Sequence, residues 1–364
     1  MNKILTDTLS FKLAEHAQKS ILYEAILTPK PGLVDAVDSG AHKDMNIYTF
    51  IDSSVSLFQG FYLYAKSGLS CNSDEKELFK EIRKIGILVE KEMFKATNNI
   101  NTHKGINFSL GIVVAATGYY FKDKGIDQIA DYKTDDTINI LKIVETMTEG
   151  LVKNDLRNLN KKENLTNGEK IYLEKGFSGI RGEVESGFPT VANIALPRMR
   201  LLSKNNISYD RILLDVLFHI MSVSIDSNVI NRGGFQALEF VNEQSRLFIN
   251  DGSVYQENYK NKIEDLNAIF IDKNISPGGA ADLLSVTIFF ALLESLIWLI
   301  YFKKSFQEFY WKDFFLSARI SDFYSLHIMN IIIFCIKNIN VEKHNNLIYY
   351  ISNNINDATI TIFN

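Results

Sequence analysis

Residues 73–96 read SDEKELFKEIRKIGILVEKEMFKA. Apolar side chains recur at Leu78, Ile82, Ile85, Val89 and Met93, a three-and-four spacing that draws one stripe down a helix. Alternating Glu and Lys fill the other positions, as on a solvated outer face. Asp74 and Glu75 fall in the first turn, where the helix dipole favours carboxylates. The spacing predicts an amphipathic helix over 73–96 that buries one face against neighbours.

The same period extends in both directions. Residues 10–28 carry Ala14, Ala17, Ile21 and Ala25 after Ser10, a candidate cap, and Pro29 stops the run. Residues 49–66, 106–122, 134–153, 167–175, 188–203, 208–226, 234–250, 254–273 and 279–303 also read as helices, with a polar loop around 153–176. Strict alternation is absent before ATITIF near residue 358, and no repeat of 20–50 residues occurs. The expected fold class is all-α: a single multi-helix globular domain over 1–300, with a C-terminal helical extension over 301–364. That extension has no Gly and no Pro, but 12 Ile and 9 Asn.

Composition narrows the function classes. The chain has 364 residues, 46% hydrophobic and 23% charged, which is ordinary for a globular protein and excludes a disordered chain or a collagen-like fibre. A net charge of −4 gives no global attraction to nucleic acid or anionic lipid. The two cysteines, Cys71 and Cys335, do not make a disulfide framework, and a reducing cytoplasm is the expected location. Asp7, Lys12 and Glu15 interrupt the N-terminus, so no secretory leader is read there. Residues 283–302, LLSVTIFFALLESLIWLIYF, are long enough to cross a bilayer. Ser285, Thr287, Glu294 and Ser295 would be costly against lipid, so the stretch is read as a buried core helix.

Five short blocks break this helical background: PKPGLVD at 29–35 with GAHKDM at 40–45, NTHKG at 101–105, GIRGEVESGFP at 179–189, DSNVINRGG at 226–234, and SPGGAAD at 276–282. Each sets Gly or Pro beside ionisable groups at a helix boundary. Free backbone N–H groups at helix N-termini attract anions, and Gly233-Gly234 and Gly278-Gly279 suit a close phosphate approach. His42, Lys43, His103, Lys104, Arg181 and Arg232 supply cationic or hydrogen-bonding heads for a polyphosphate. Asp44, Glu183, Asp226 and Asp282 supply oxygen ligands of the kind that hold Mg²⁺ together with substrate phosphates. The combination reads as a nucleotide–Mg²⁺ site. It contains no Walker A loop, no GxGxxG, no nucleophile elbow and no zinc-type Cys/His cluster.

Taken in order, these blocks resemble the triphosphoribosyl-dephospho-CoA synthase family (CitG and MdcB type) over roughly residues 10–298. The resemblance implies an all-helical fold and a reaction. ATP and 3′-dephospho-CoA give 2′-(5″-triphosphoribosyl)-3′-dephospho-CoA and adenine. The product is the prosthetic-group precursor that a further transferase loads onto the acyl carrier protein of citrate lyase or malonate decarboxylase. Attack of a 2′-hydroxyl on C1 of the ATP ribose requires a base for the hydroxyl, an acid for adenine and a held triphosphate, by analogy with glycoside cleavage.

Roles follow as expectations. Glu183 is the general base, and His42 or His103 protonates adenine or binds phosphate. Lys43, Lys104, Arg181 and Arg232, with Gly233, Gly234, Gly278 and Gly279, hold phosphates. Asn228 bonds a ribose hydroxyl or the adenine edge, and Asp44, Asp226 and Asp282 bind Mg²⁺ or ribose. Glu24 is a weaker carboxylate candidate. A helical Mg²⁺-dependent N-glycosyl hydrolase of the ADP-ribose-cleaving type is the competing enzyme reading, separated by whether adenine release needs the acceptor. A non-enzymatic membrane or scaffold protein is the third reading, and it leaves the five blocks unexplained.

Overall fold

A computed structural model of the chain describes residues 1–157, 159, 165–205 and 207–297. The boundary at residue 300, the expected helical extension over 301–364, Cys335 and the alternating stretch near 358 lie outside the described residues. Helix follows helix in chain order, and no strand occurs among the described residues. The all-α expectation holds, and buried side chains from nearly every helix form one continuous core.

The first four helices build one half of the molecule. These are α1 (Lys3–Ile26), α2 (Ile47–Ser70), α3 (Glu75–Ala96) and α4 (Lys104–Lys124). In α3, Leu78, Ile82, Val89 and Met93 are buried, and the Asp74 side chain caps the helix on the Glu77 N–H at 2.9 Å. α1 begins earlier than the apolar pattern suggests, because Asn2 accepts from the Leu5 N–H at 2.9 Å. Ser10 is not its cap: it lies inside the helix, its hydroxyl donating to the Thr6 carbonyl.

α2 and α4 cross at very close range. A Cβ on Gly68 would lie 2.1 Å from the Ala115 carbonyl oxygen, and one on Gly118 would lie 2.5 Å from that of Ala65. Helix propensity alone would reward Gly→Ala by up to about 1 kcal/mol. Backbone collision outweighs that here. Gly68→Val should destabilise the fold by about 3 kcal/mol, measured by urea unfolding.

The second half contains α5 (Thr134–Thr148), α6 (Leu151–Asp155), α7 (Asn167–Lys175), α8 (Gly179–Glu185), α9 (Leu196–Ser203), α10 (Tyr209–Met221), α11 (Ser227–Asn250), α12 (Tyr259–Asp272) and α13 (Gly278–Leu293). The stretch expected as one helix over 134–153 divides at Gly150, which has φ 81°. The Glu185 carboxylate takes the N–H groups of Gly150 (2.7 Å) and Val152 (3.0 Å) and so caps α6. The run 188–203 opens on a π-helical turn, Val191–Ala195. Pro197 lacks an N–H and crowds the carbonyl four residues back, which accounts for that wide turn.

α10 stops at Met221, and α11 starts at Ser227 rather than at 234. Gly233-Gly234 therefore sits within α11, at a kink where Gly234 has φ 72° and ψ −171°. α13 ends at Leu293. The Glu294 side chain is buried and receives a two-pronged hydrogen bond from Arg200 (2.6 and 2.8 Å) and another from Thr137 (2.6 Å). That pairing explains a lone carboxylate in so apolar a run. No helix among the described residues is long and apolar enough to cross a membrane.

Candidate active site

A cavity of about 550 Å³ opens where the 27–46 loop meets the N-termini of α4, α8, α11 and α13. The loop is tied down by the buried Asp35. Its carboxylate accepts from the Thr28 hydroxyl (2.9 Å) and the N–H groups of Lys30 (3.0 Å), Val37 and Asp38 (2.8 Å each). Gly32 adopts φ 71° where a Cβ would strike the Ile275 carbonyl. Lys30 is almost wholly buried and bonds both the side chain (2.5 Å) and the carbonyl (2.7 Å) of Glu24. Burial nevertheless pushes the Glu24 carboxyl up.

Two aspartates organise the base of the cavity. The buried Asp226 takes the N–H groups of Asn228 (2.8 Å) and Val229 (3.4 Å) in its own helix, and that of Ala280 (3.0 Å) in α13. One side chain thus caps two helices. The glycines of SPGGAAD answer to this contact. A Cβ on Gly279 would sit 3.0 Å from the Asp226 carboxylate, and one on Gly278 would sit 2.9 Å from the Asn228 amide. Asp282 faces the cavity against the first turn of α4, where a Cβ on Gly105 would lie 2.0 Å from its Oδ2. Its carboxylate accepts no hydrogen bond among the described residues. Burial, then the Asp226 and Glu24 carboxylates, push its pKa well above the usual range.

The two histidines have distinct settings. His103 is buried, with Nδ1 2.7 Å from the Ser53 hydroxyl, which accepts from the Thr102 hydroxyl at 2.6 Å. Ser53 has only one proton, so the arrangement that satisfies all three groups has Ser53 donating to Nδ1. Nε2 then carries the hydrogen. It has no hydrogen-bond partner among the described residues, and its residue lines the cavity. Burial and then Lys30 lower the His103 pKa to about 3, so the ring is a neutral donor at pH 7. His103→Ala should cost about tenfold in turnover, the worth of one neutral hydrogen bond. The shape of the pH–rate profile between pH 5 and 9 should not change.

His42 is a clasp. Arg232 donates to its Nδ1 at 3.2 Å, and its Nε2 bonds Ser276 at 2.9 Å. Burial and Arg232 lower its pKa. The other Arg232 hydrogen bonds go to neutral acceptors, the Ala41 carbonyl (2.9 Å) and the Asn274 side chain (3.2 Å). Arg232 also lines the cavity and makes no ion pair among the described residues. Glu183 also lines the cavity. Thr190 donates to it twice, from N–H (2.8 Å) and hydroxyl (3.1 Å), and burial still pushes its pKa up.

All five Gly/Pro blocks reach this one cavity. His42, His103, Lys104, Glu183, Asp226, Asn228, Arg232, Gly278, Gly279 and Asp282 line it. Five other expected residues do not. Lys43 is exposed, and Asp44 is 61% exposed with only a 3.8 Å contact to His42. Arg181 turns to Asp155 at 3.1 Å. Gly233 and Gly234 are exposed at the α11 kink. The wall is therefore less cationic than the sequence pattern suggests. Glu24, Glu183, Asp226 and Asp282 face Lys104 and Arg232, with Lys104 held by Glu90 at 2.7 Å. No group of three or more His, Cys, Asp or Glu is arranged to hold a metal among the described residues.

The family model described as ATP:dephospho-CoA triphosphoribosyl transferase matches residues 10–300. The chain belongs to this family. Its relatives include proteins named probable 2-(5″-triphosphoribosyl)-3′-dephosphocoenzyme-A synthase. The one from Streptococcus mutans serotype c is 43% identical, covering 77% of this chain and 96% of the relative. Those from Streptococcus equi subsp. equi and Streptococcus pyogenes serotype M18 are 40% and 38% identical, covering 77% and 80% of this chain and 95% and 100% of the relatives. No solved structure matches. In this triphosphoribosyl transferase family member, the residues that sequence reasoning passed over are Lys30, Ser53 and Thr190. Ser53 is one of two adjacent serines inside a helix and carries no local signal. Thr190 follows GFP directly, so extending that block by one residue would have included it.

Proposed function

We propose that the chain transfers the triphosphoribosyl group of ATP to the 2′-hydroxyl of 3′-dephospho-CoA and releases adenine. The observation that carries this reading is the meeting of all five motif blocks of a family member in one cavity. The bond between C1 of the ATP ribose and N9 of adenine breaks, and a bond from that carbon to the acceptor 2′-oxygen forms. Glu183 takes the hydroxyl proton, its raised pKa suiting a base. The Nε2–H of His103 donates to adenine or to a phosphate oxygen. Arg232 supplies positive charge to the triphosphate.

With Glu24 paired to Lys30, Glu183, Asp226 and Asp282 still line the cavity without an ion-pair partner among the described residues and would oppose a triphosphate, so the electrostatics call for a divalent cation entering with ATP. Asp282 fits the task, since its carboxylate faces the cavity beside like charges that a cation would relieve. Mg²⁺ usually needs only one or two protein carboxylates beside substrate phosphates, and it would supply charge neutralisation of the triphosphate. Asp226, already bonded to backbone N–H groups at two helix starts, positions the base of the cavity. A cytoplasmic setting suits these substrates and the free Cys71 thiol. The product goes on to a transferase acting on an acyl carrier protein of citrate lyase or malonate decarboxylase.

The test incubates protein with ATP, Mg²⁺ and 3′-dephospho-CoA and follows adenine together with acceptor mass. Adenine released only with acceptor, alongside a heavier acceptor, is the expected result. Adenine released from ATP without acceptor would favour the hydrolase reading.

A further inference from the structure

A second cavity, of about 320 Å³, adjoins the first and shares Lys104, Gly105 and Ile180 with it. Its character differs. Phe79, Ile82, Ile87, Phe108 and Ile112 provide its walls, and none of the four cavity carboxylates of the first site reaches it. Cations gather along it. Arg83 and Arg181 share one carboxylate, Asp155, at 2.6 and 3.1 Å, while Lys104 pairs with Glu90 at 2.7 Å. Three cations against two carboxylates leave net positive charge beside an apolar slot. Ile87 stands at the slot 60% exposed, within reach of whatever enters it.

We infer that this slot binds the pantetheine arm of the acceptor, with the acceptor diphosphate over Lys104 and Arg181 at the shared rim. The inference rests on the proposed reaction. Two nucleotides, one bearing a long amide chain, exceed a single cavity of ordinary ligand size. The acceptor must put its 2′-hydroxyl in the first cavity, near Glu183, and its arm must leave in some direction. Diphosphate anion, then a chain rich in methyl and methylene groups, matches cations followed by apolar walls. Arg181 and Arg83, turned away from the first cavity, thereby acquire a role with the acceptor. The α6 cap by Glu185 matters for the same reason, because it fixes the short helix that ends on Asp155.

The test uses 4′-phosphopantetheine, which carries the arm without any nucleotide. Turnover is measured at varied ATP and varied 3′-dephospho-CoA, and equilibrium binding of 4′-phosphopantetheine is measured by calorimetry. In the wild type it should bind and inhibit competitively against 3′-dephospho-CoA, not against ATP. Ile87→Glu, a change at an exposed position, should weaken that binding and raise the KM for 3′-dephospho-CoA about tenfold, with the ATP KM unchanged. Arg181→Ala should raise the acceptor KM several-fold in the same selective way. Competition with ATP, or unchanged acceptor KM and binding in Ile87→Glu, would overturn the inference. Absence of adenine release from the wild type would instead overturn the reaction on which it rests, since the binding measurement does not depend on turnover.

Discussion

Asp282→Asn should lose at least about a thousandfold in turnover and, in Mg²⁺-free buffer at pH 8, should melt at a higher temperature than the wild type. The two effects share one cause. Asp282 is held against Gly105 with Asp226 and Glu24 as like-charged neighbours, and its pKa is pushed well above the usual range by burial and by those neighbours. A carboxyl whose folded pKa is raised contributes stability below its unfolded pKa, and that contribution is lost as pH rises through the folded pKa. At pH 8 the wild type has lost it to whatever extent Asp282 is ionised. Asparagine keeps the shape and removes the charge, so the variant does not lose it. A gain of about 1 kcal/mol corresponds to a rise of roughly 2–4 °C. The advantage should shrink as pH falls and wild-type Asp282 becomes protonated. Mg²⁺ with ATP should raise the wild-type Tm and leave the variant's nearly unmoved. A variant that is active, or that melts lower at pH 8, would remove Asp282 from the metal role. Stability lost at a charge cluster that faces an open cavity is the pattern expected where function, not folding, places the charges.

Much of this arrangement is legible in the sequence, and the parts that are not have physical reasons. Helices such as α3 and α7 appear at their expected positions because their apolar stripes and caps are local signals. The start of α11 was misplaced because Gly-Gly reads as a helix boundary. Asp226 supplies the true cap seven residues earlier, and the chain tolerates Gly234 as a kink. The five blocks pointed to the cavity, but the reason for their glycines differs from the expected phosphate cradle. Gly278, Gly279 and Gly105 are small because Asn228, Asp226 and Asp282 occupy the space of their missing side chains. These are contacts between residues 50 to almost 180 positions apart, which no local pattern reports. The charge of Arg181 was likewise legible, but its partner was not. Asp155 comes from α6, a five-residue helix whose cap is Glu185, and only the folded chain turns Arg181 from the first cavity to the second.

Glu183→Gln should reduce turnover by about 10²–10⁴-fold, the usual worth of a general base. The loss should be in kcat more than in either KM, because the side-chain shape is retained together with one oxygen to accept from the Thr190 N–H. The pH profile distinguishes this role from a structural one. A base must be ionised, so wild-type rates should fall as pH drops through the Glu183 pKa, which burial holds above the ordinary carboxylate value. The variant's residual rate should lack that acid limb. Thr190 gives a second, gentler measurement. Its N–H and hydroxyl stabilise the charged form and pull the Glu183 pKa down against burial. Thr190→Val removes the hydroxyl bond alone, so the Glu183 pKa should rise and the acid limb should move to higher pH, with the plateau rate nearly kept. A limb that stays where it was in Thr190→Val, or persists in Glu183→Gln, would assign the titration to another group. The proton would then have to go to one of the remaining cavity carboxylates. Asp226 is bonded to backbone N–H groups at two helix starts and Glu24 is paired with Lys30, which leaves Asp282 as the alternative base.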